Sequence, residues 1–148
     1  MRAVLALAAA LALSGAACGG SDGGAPAAGV DDAPRSLPAC ANASAGVSLP
    51  EGFPTDFPLP SGTVLTSAES PFAGQLVLIG AVPGDLQEAE AFFNDALPDR
   101  GYRVGIGDAE GTESEAPFTG NGYRGKWRVN GIPDCDAVRL TLVLIDQS

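Results

Sequence analysis

The chain contains no histidine. It therefore lacks the side chain most often used as a general base near neutral pH, and the usual nitrogen ligand for zinc. CxxC pairs, P-loops, G-x-S-x-G elbows and Rossmann glycine patterns are also missing. Carboxylates are plentiful, but none stand at a spacing that marks a catalytic pair, and such pairs meet in space rather than in sequence. The expectation is a non-enzyme with no cofactor and no metal site. Positive charge is scarce: eight Lys and Arg against eighteen Asp and Glu give a formal charge of −10. Such a chain is a poor match for the phosphates of nucleic acid and for adsorption to anionic lipid. Long apolar runs are missing too. The stretch Ala3 to Leu13 is unbroken over eleven residues, whereas a helix that crosses a bilayer needs about 20.

Eleven apolar residues do suit the hydrophobic region of a signal peptide. Met1-Arg2 supplies a short positive start, and Ser14-Gly15-Ala16-Ala17 supplies small residues ahead of Cys18. Ala16-Ala17-Cys18 resembles the last three positions of the lipobox of bacterial lipoproteins, usually Leu-Ala/Ser-Gly/Ala-Cys. Gly15 stands where that family prefers Leu. The resemblance covers only the leader and the Gly-rich segment after it. It implies a diacylglycerol thioether on Cys18, cleavage just before it, and anchoring to the outer face of a bacterial membrane (the cell membrane, or an outer membrane if there is one). Two or more acyl chains hold a protein stably, at about 0.8 kcal/mol per buried methylene. The other reading is an ordinary secretory signal cut after Ala16 or Ala17. That would leave a free Cys18 thiol, a liability in an oxidising compartment. Loss of Arg2 with the leader takes the charge from −10 to −11. In its Ala/Gly/Pro-rich composition the mature region is similar to small exported lipoproteins of high-GC bacteria, a likeness that names no activity.

Three segments follow: a signal peptide over 1–17, a lipidated Cys18 with a tether over 18–38, and a single domain over 39–148. From Gly19 to Pro38 the chain is mostly Gly, Ala, Pro, Ser and Asp with no apolar periodicity, the composition of a disordered arm. Its reach is roughly 25 Å. With Cys18 taken, Cys40 and Cys135 are an even pair in an oxidising compartment, and a disulfide between them is expected. It would pin the start of the domain to the turn before its last strand.

Within the domain, Phe53-Pro54 and Phe57-Pro58-Leu59-Pro60 rule out helix. They predict an extended arm whose Phe53, Phe57 and Leu59 clip onto the body, or a polyproline strip for a partner. Strands are predicted over 63–69, 75–82, 102–107, 123–129 and 138–146. The second is apolar on both faces and reads as central. Asp85 and Glu88 fit a capping box, and Leu86, Ala89, Phe93 and Leu97 recur at helical spacing, which predicts a helix to Pro98 or Asp99 with Gly101 as its stop. Asp108 to Pro117 reads as a loop. The fold class is α+β in two layers, one helix packed on a mostly antiparallel sheet, in the order β-β-α-β-β-β.

Two charged groups stand out. Asp108, Glu110, Glu113 and Glu115 form an acidic loop. Calcium favours such oxygens, though the spacing is not that of an EF-hand, and solvation is the plainer reading. Arg124, Lys126 and Arg128 alternate with Gly125, Trp127 and Val129, which puts three cations on one face of a strand. Arg139 would join them from the last strand, beside Thr141, Val143 and Ile145. These four cations either pair with the acidic loop or form a docking face for an anionic partner. Three functions stay open: a non-catalytic interaction module for an envelope protein or polymer, a carrier of an apolar ligand in a sheet-lined groove, and an enzyme of unfamiliar type. A groove lined by Val77, Ile79, Val143 and Ile145 favours the carrier, and a filled core with a basic sheet favours the module.

Overall fold

Asp85 caps a helix in both directions. Its carboxylate accepts from the Glu88 backbone N–H at 2.9 Å, and the Glu88 carboxylate accepts from the Asp85 N–H at 3.2 Å. The helix, α1 (Leu86–Asp99), buries Ala89, Phe93 and Leu97. It stops in a Schellman motif: Gly101 takes φ 84°, its N–H donates to Pro98 O, and the Tyr102 N–H reaches back to Leu97 O. Leu97 and Tyr102 bracket that turn, and both are buried.

The computed structural model describes residues 35–43 and 46–148. The leader, Cys18 and the tether as far as residue 34 lie outside the described residues. Among the described residues seven strands make one sheet: β1 (Val64–Glu69), β2 (Gln75–Pro83), β3 (Arg103–Val104), β4 (Asp108–Glu110), β5 (Glu113–Gly120), β6 (Tyr123–Gly131) and β7 (Ala137–Asp146). Their order is β1-β2-β7-β6-β5-β3, with β4 also on β5, and every pairing is antiparallel. The fold is α+β, with the helix between β2 and β3 in the chain. No helix among the described residues is long and apolar enough to cross a membrane.

The expected order had three strands after the helix, and the structure has five. Asp108 to Pro117 is not a loop. It holds β4, a turn at Gly111-Thr112, and most of β5. The period-2 pattern is present but muted, because the inward residues Ser114 and Ala116 are small and the outward Glu113 and Glu115 are acidic. Asn121-Gly122, with φ of 50° and 81°, then makes the two-residue turn to β6, a strong hairpin signal in sequence.

The expected strand over 102–107 is shorter than its residues promised. Only Arg103 and Val104 pair with β5, and Gly105-Ile106-Gly107 leaves the ladder before β4 resumes it. Pro117 explains the break. Its carbonyl accepts from the Gly105 N–H at 2.8 Å, so its nitrogen faces the same edge with no hydrogen to donate. Ile106, at the outer point of the excursion, is 99% exposed.

The core lies between α1 and one face of the sheet. Phe93 stacks on Trp127, with centroids 5.3 Å apart and planes at 16°. Leu78, Val129, Leu140, Leu142 and Leu144 fill the space around them. The proline arm closes one end: Phe57 is buried against Tyr102 and Phe118, with centroids at 5.3 and 5.1 Å, and Phe53 and Leu59 pack half-buried beside it. Cys40 and Cys135 form a disulfide across 95 residues, and Cys135 lies in the turn between β6 and β7. Ordered contacts begin ahead of the expected domain start at 39, because Arg35 Nη1 donates to Glu88 at 2.7 Å.

Candidate functional site

The helix covers one face of the sheet, and the register lists what stands on the other. On β6, Arg124, Lys126 and Arg128 point away from the core while Trp127 and Val129 point into it. On β7, Ile145, Val143 and Thr141 are their cross-strand neighbours, in that order, and Arg139 lies opposite Asn130. On β2, Val77 is paired with Val143 and Ile79 with Thr141. All four expected cations therefore share the open face. Arg103 joins them from β3, where it pairs with Thr119.

The open face is striped. Acids come from β4 and β5, cations from β6, and apolar side chains from β7 and β2. Lys126 Nζ donates to both Glu115 oxygens, at 2.9 and 3.0 Å, and Arg128 Nε donates to Glu115 Oε2 at 2.6 Å. Arg128 also stands 3.5 Å from Glu113, whose other oxygen accepts from Asn130. The Lys126 and then the Arg128 hydrogen bonds hold the Glu115 carboxyl below its ordinary pKa, and Glu115 in turn holds the Arg128 guanidinium above its own. Glu113 and Glu115 are thus engaged in cross-strand ion pairs, while Asp108 and Glu110 form none among the described residues. Among the described residues no group of three or more acids or cysteines converges as a metal site.

Pairing consumes only part of the cation row. Among the described residues Arg124 and Arg139 form no ion pair. They flank the strip of Val77, Ile79, Val143 and Ile145, all four half-buried. The strip lies opposite the helix on the surface of a continuous sheet. At the far end Ala81 is buried on the same face, where the arm passes with Gly46 beside Val64.

Titratable groups elsewhere are tied into the fold. Tyr102 is pushed up to about 12, chiefly by burial, while its hydroxyl donates to Asp56 at 3.3 Å. Arg35 holds the Glu88 carboxyl below the usual carboxylate range. Sequence reasoning found the four cations through strand alternation. It missed Arg103, because the broken edge strand hid which way that residue faces. No family model matches the chain, and no curated protein does.

Proposed function

We propose that the chain is an exported lipoprotein, anchored through Cys18 to the outer face of a bacterial membrane, whose folded domain is a non-catalytic interaction module. Its partner is an envelope protein that presents acidic groups around an apolar segment. The observation that carries this reading is the open face: an apolar strip two strands wide, flanked by Arg124 and Arg139, which form no ion pair among the described residues. Lys126 and Arg128 add to its positive border but are partly neutralised by Glu115 and Glu113. Paired surface charges contribute little to stability. Charges left unpaired beside apolar surface favour a complementary partner.

A second reading, a carrier of an apolar ligand, draws support from the same strip, since the helix does not cover Val77, Ile79, Val143 or Ile145. It is the weaker one, because a carrier needs a concavity that buries most of its ligand, and these side chains stand on a sheet surface above a filled core. The test uses the lipidated protein in intact cells. Cys18→Ser should move it from membranes to the aqueous fraction; retention on membranes would remove the anchor from the proposal. Crosslinking should capture an acidic protein with the native chain and lose it with Arg124→Glu/Arg139→Glu. Co-purification of lipid alone would replace the module with the carrier.

A further inference from the structure

The apolar strip on the open face has dimensions that restrict what can cover it. Its residues stand in two columns, Ile145 and Val143 on β7 beside Val77 and Ile79 on β2. Neighbouring strands lie about 4.8 Å apart, so the strip is about 10 Å wide, the diameter of one α-helix. Along β7 it runs from Ile145 towards Arg139, a length of about 20 Å at the rise of a strand. The arm closes that end, because Arg139 pairs with Ala81, where the arm passes. The same length corresponds to about thirteen residues of helix.

Backbone chemistry narrows the choice further. β7 and β2 are interior strands, each laddered on both sides, so the strip offers no sheet edge to pair with. A segment that recognises a sheet by adding a strand needs such an edge. An extended segment laid across the strip instead would press its own peptide groups against apolar side chains. Each N–H or C=O buried there without a partner costs about 1–3 kcal/mol. A helix satisfies these groups internally. The other face of the sheet already shows this solution: α1 lies on it with Ala89, Phe93 and Leu97, one turn apart, facing inward.

The two flanks of the strip differ in charge. On the β6 side stand Arg124, Lys126 and Arg128, and Arg124 forms no ion pair among the described residues. On the β1 side stand Ser67 and Glu69, paired with Ile79 and Val77. Arg139 marks the end beside the arm. A complementary helix therefore carries Asp or Glu on the side that meets β6 and at the end that meets Arg139, and keeps acids away from Glu69. We infer that the partner contributes one acidic amphipathic helix of about thirteen residues, laid along β7 and β2, an inference that rests on the docking role proposed for this face.

The strip can serve as a ruler. A photo-crosslinking amino acid replaces Ile145, Val143 or Thr141, one per variant, in the full chain in intact cells, and the partner residues captured are mapped by mass spectrometry. Successive positions stand about 6.7 Å apart in one column of the face. On a helix each step should move the captured residue by about four to five positions; on an extended segment it would move by about two. Steps of four to five are expected, in a segment with acids along one side. Adding Arg124→Glu/Arg139→Glu should lower the yield at all three positions about tenfold or more, with thermal unfolding close to that of the native chain. Steps of about two, or captured residues in no regular order, overturn the helix while the docking role stands. An undiminished yield in the charge-reversed chain overturns it as well, as do captured residues in the chain's own arm or in a second copy. Capture of no protein from any of the three positions overturns the docking role itself, and the helix with it.

Discussion

Glu115 is the residue on which the surface electrostatics turn. One carboxylate serves two cations from the neighbouring strand, Lys126 and Arg128. Its pKa in the fold lies below its ordinary value, so its contribution to stability is fully present above the unfolded carboxylate value of about 4.3. That contribution is lost as pH falls through the folded value. Glu88, held low by Arg35, acts in the same direction. Stability followed by urea denaturation should be level from neutrality to roughly pH 5 and fall below that. Glu115→Gln should cost no more than about 1 kcal/mol at neutral pH, as expected for half-exposed pairs, and should make the acid-side fall shallower. An unchanged acid limb in that variant would show that these ion pairs do not contribute.

At the scale of elements, legibility followed the size of the inward residues. The helix was readable because Asp85, Glu88 and Gly101 each carry a terminal signal and Phe93 and Leu97 mark its buried side. β2 and β7 were readable from their long apolar runs. β5 was not, because Ser114 and Ala116 face inward where a strand usually shows Val or Leu, and the acids between them imitate a solvated loop. The fracture of the edge strand was invisible for another reason: Pro117 acts on a segment ten to twelve residues earlier, through a ladder that has to be known first. Of the open face, the cation side was legible from alternation alone. The ion pairs were not, since they depend on the register of β5 against β6. The junction of these strands gives a sharp prediction. Gly125 faces the core opposite Phe118, and a Cβ there would lie 2.0 Å from the Val143 carbonyl oxygen and 2.6 Å from the Phe118 ring. Gly125→Ala should destabilise by about 3 kcal/mol, the upper end for overpacking. A chemical-denaturation midpoint near that of the native chain would mean the strands yield freely at this point.

For the molecule as a whole, charge is segregated. Five of the seven cations beyond Arg2 sit on the open face, at positions 103, 124, 126, 128 and 139, where they offset Glu69, Asp108, Glu110, Glu113 and Glu115, while α1 and its cap carry Asp85, Glu88, Glu90, Asp95 and Asp99. An acidic chain thus presents one nearly neutral side on which Arg124 and Arg139 stand apart from the acids, and salt should weaken any partner that reads those two cations. Global stability leans on the Cys40–Cys135 bond. For a loop near this length the chain-entropy model assigns it about 4–5 kcal/mol, a large share of what a small domain has. Reduction, or Cys40→Ala/Cys135→Ala, should lower the unfolding free energy by an amount of that order. A loss well under 1 kcal/mol would place the constraint elsewhere. The same bond sets a path for mechanical load. A pull on the N-terminal arm that reaches Cys40 crosses directly to Cys135, two residues before β7, and bypasses the intervening 95-residue span. Tension enters the sheet at an interior strand braced by β2 and β6 on either side, and has to shear two ladders at once instead of peeling β1 from the edge. Were the proposed partner to grip Arg139 and Val143, it would pull on that same strand, and the load between partner and arm would run along β7 and spare the strands on either side.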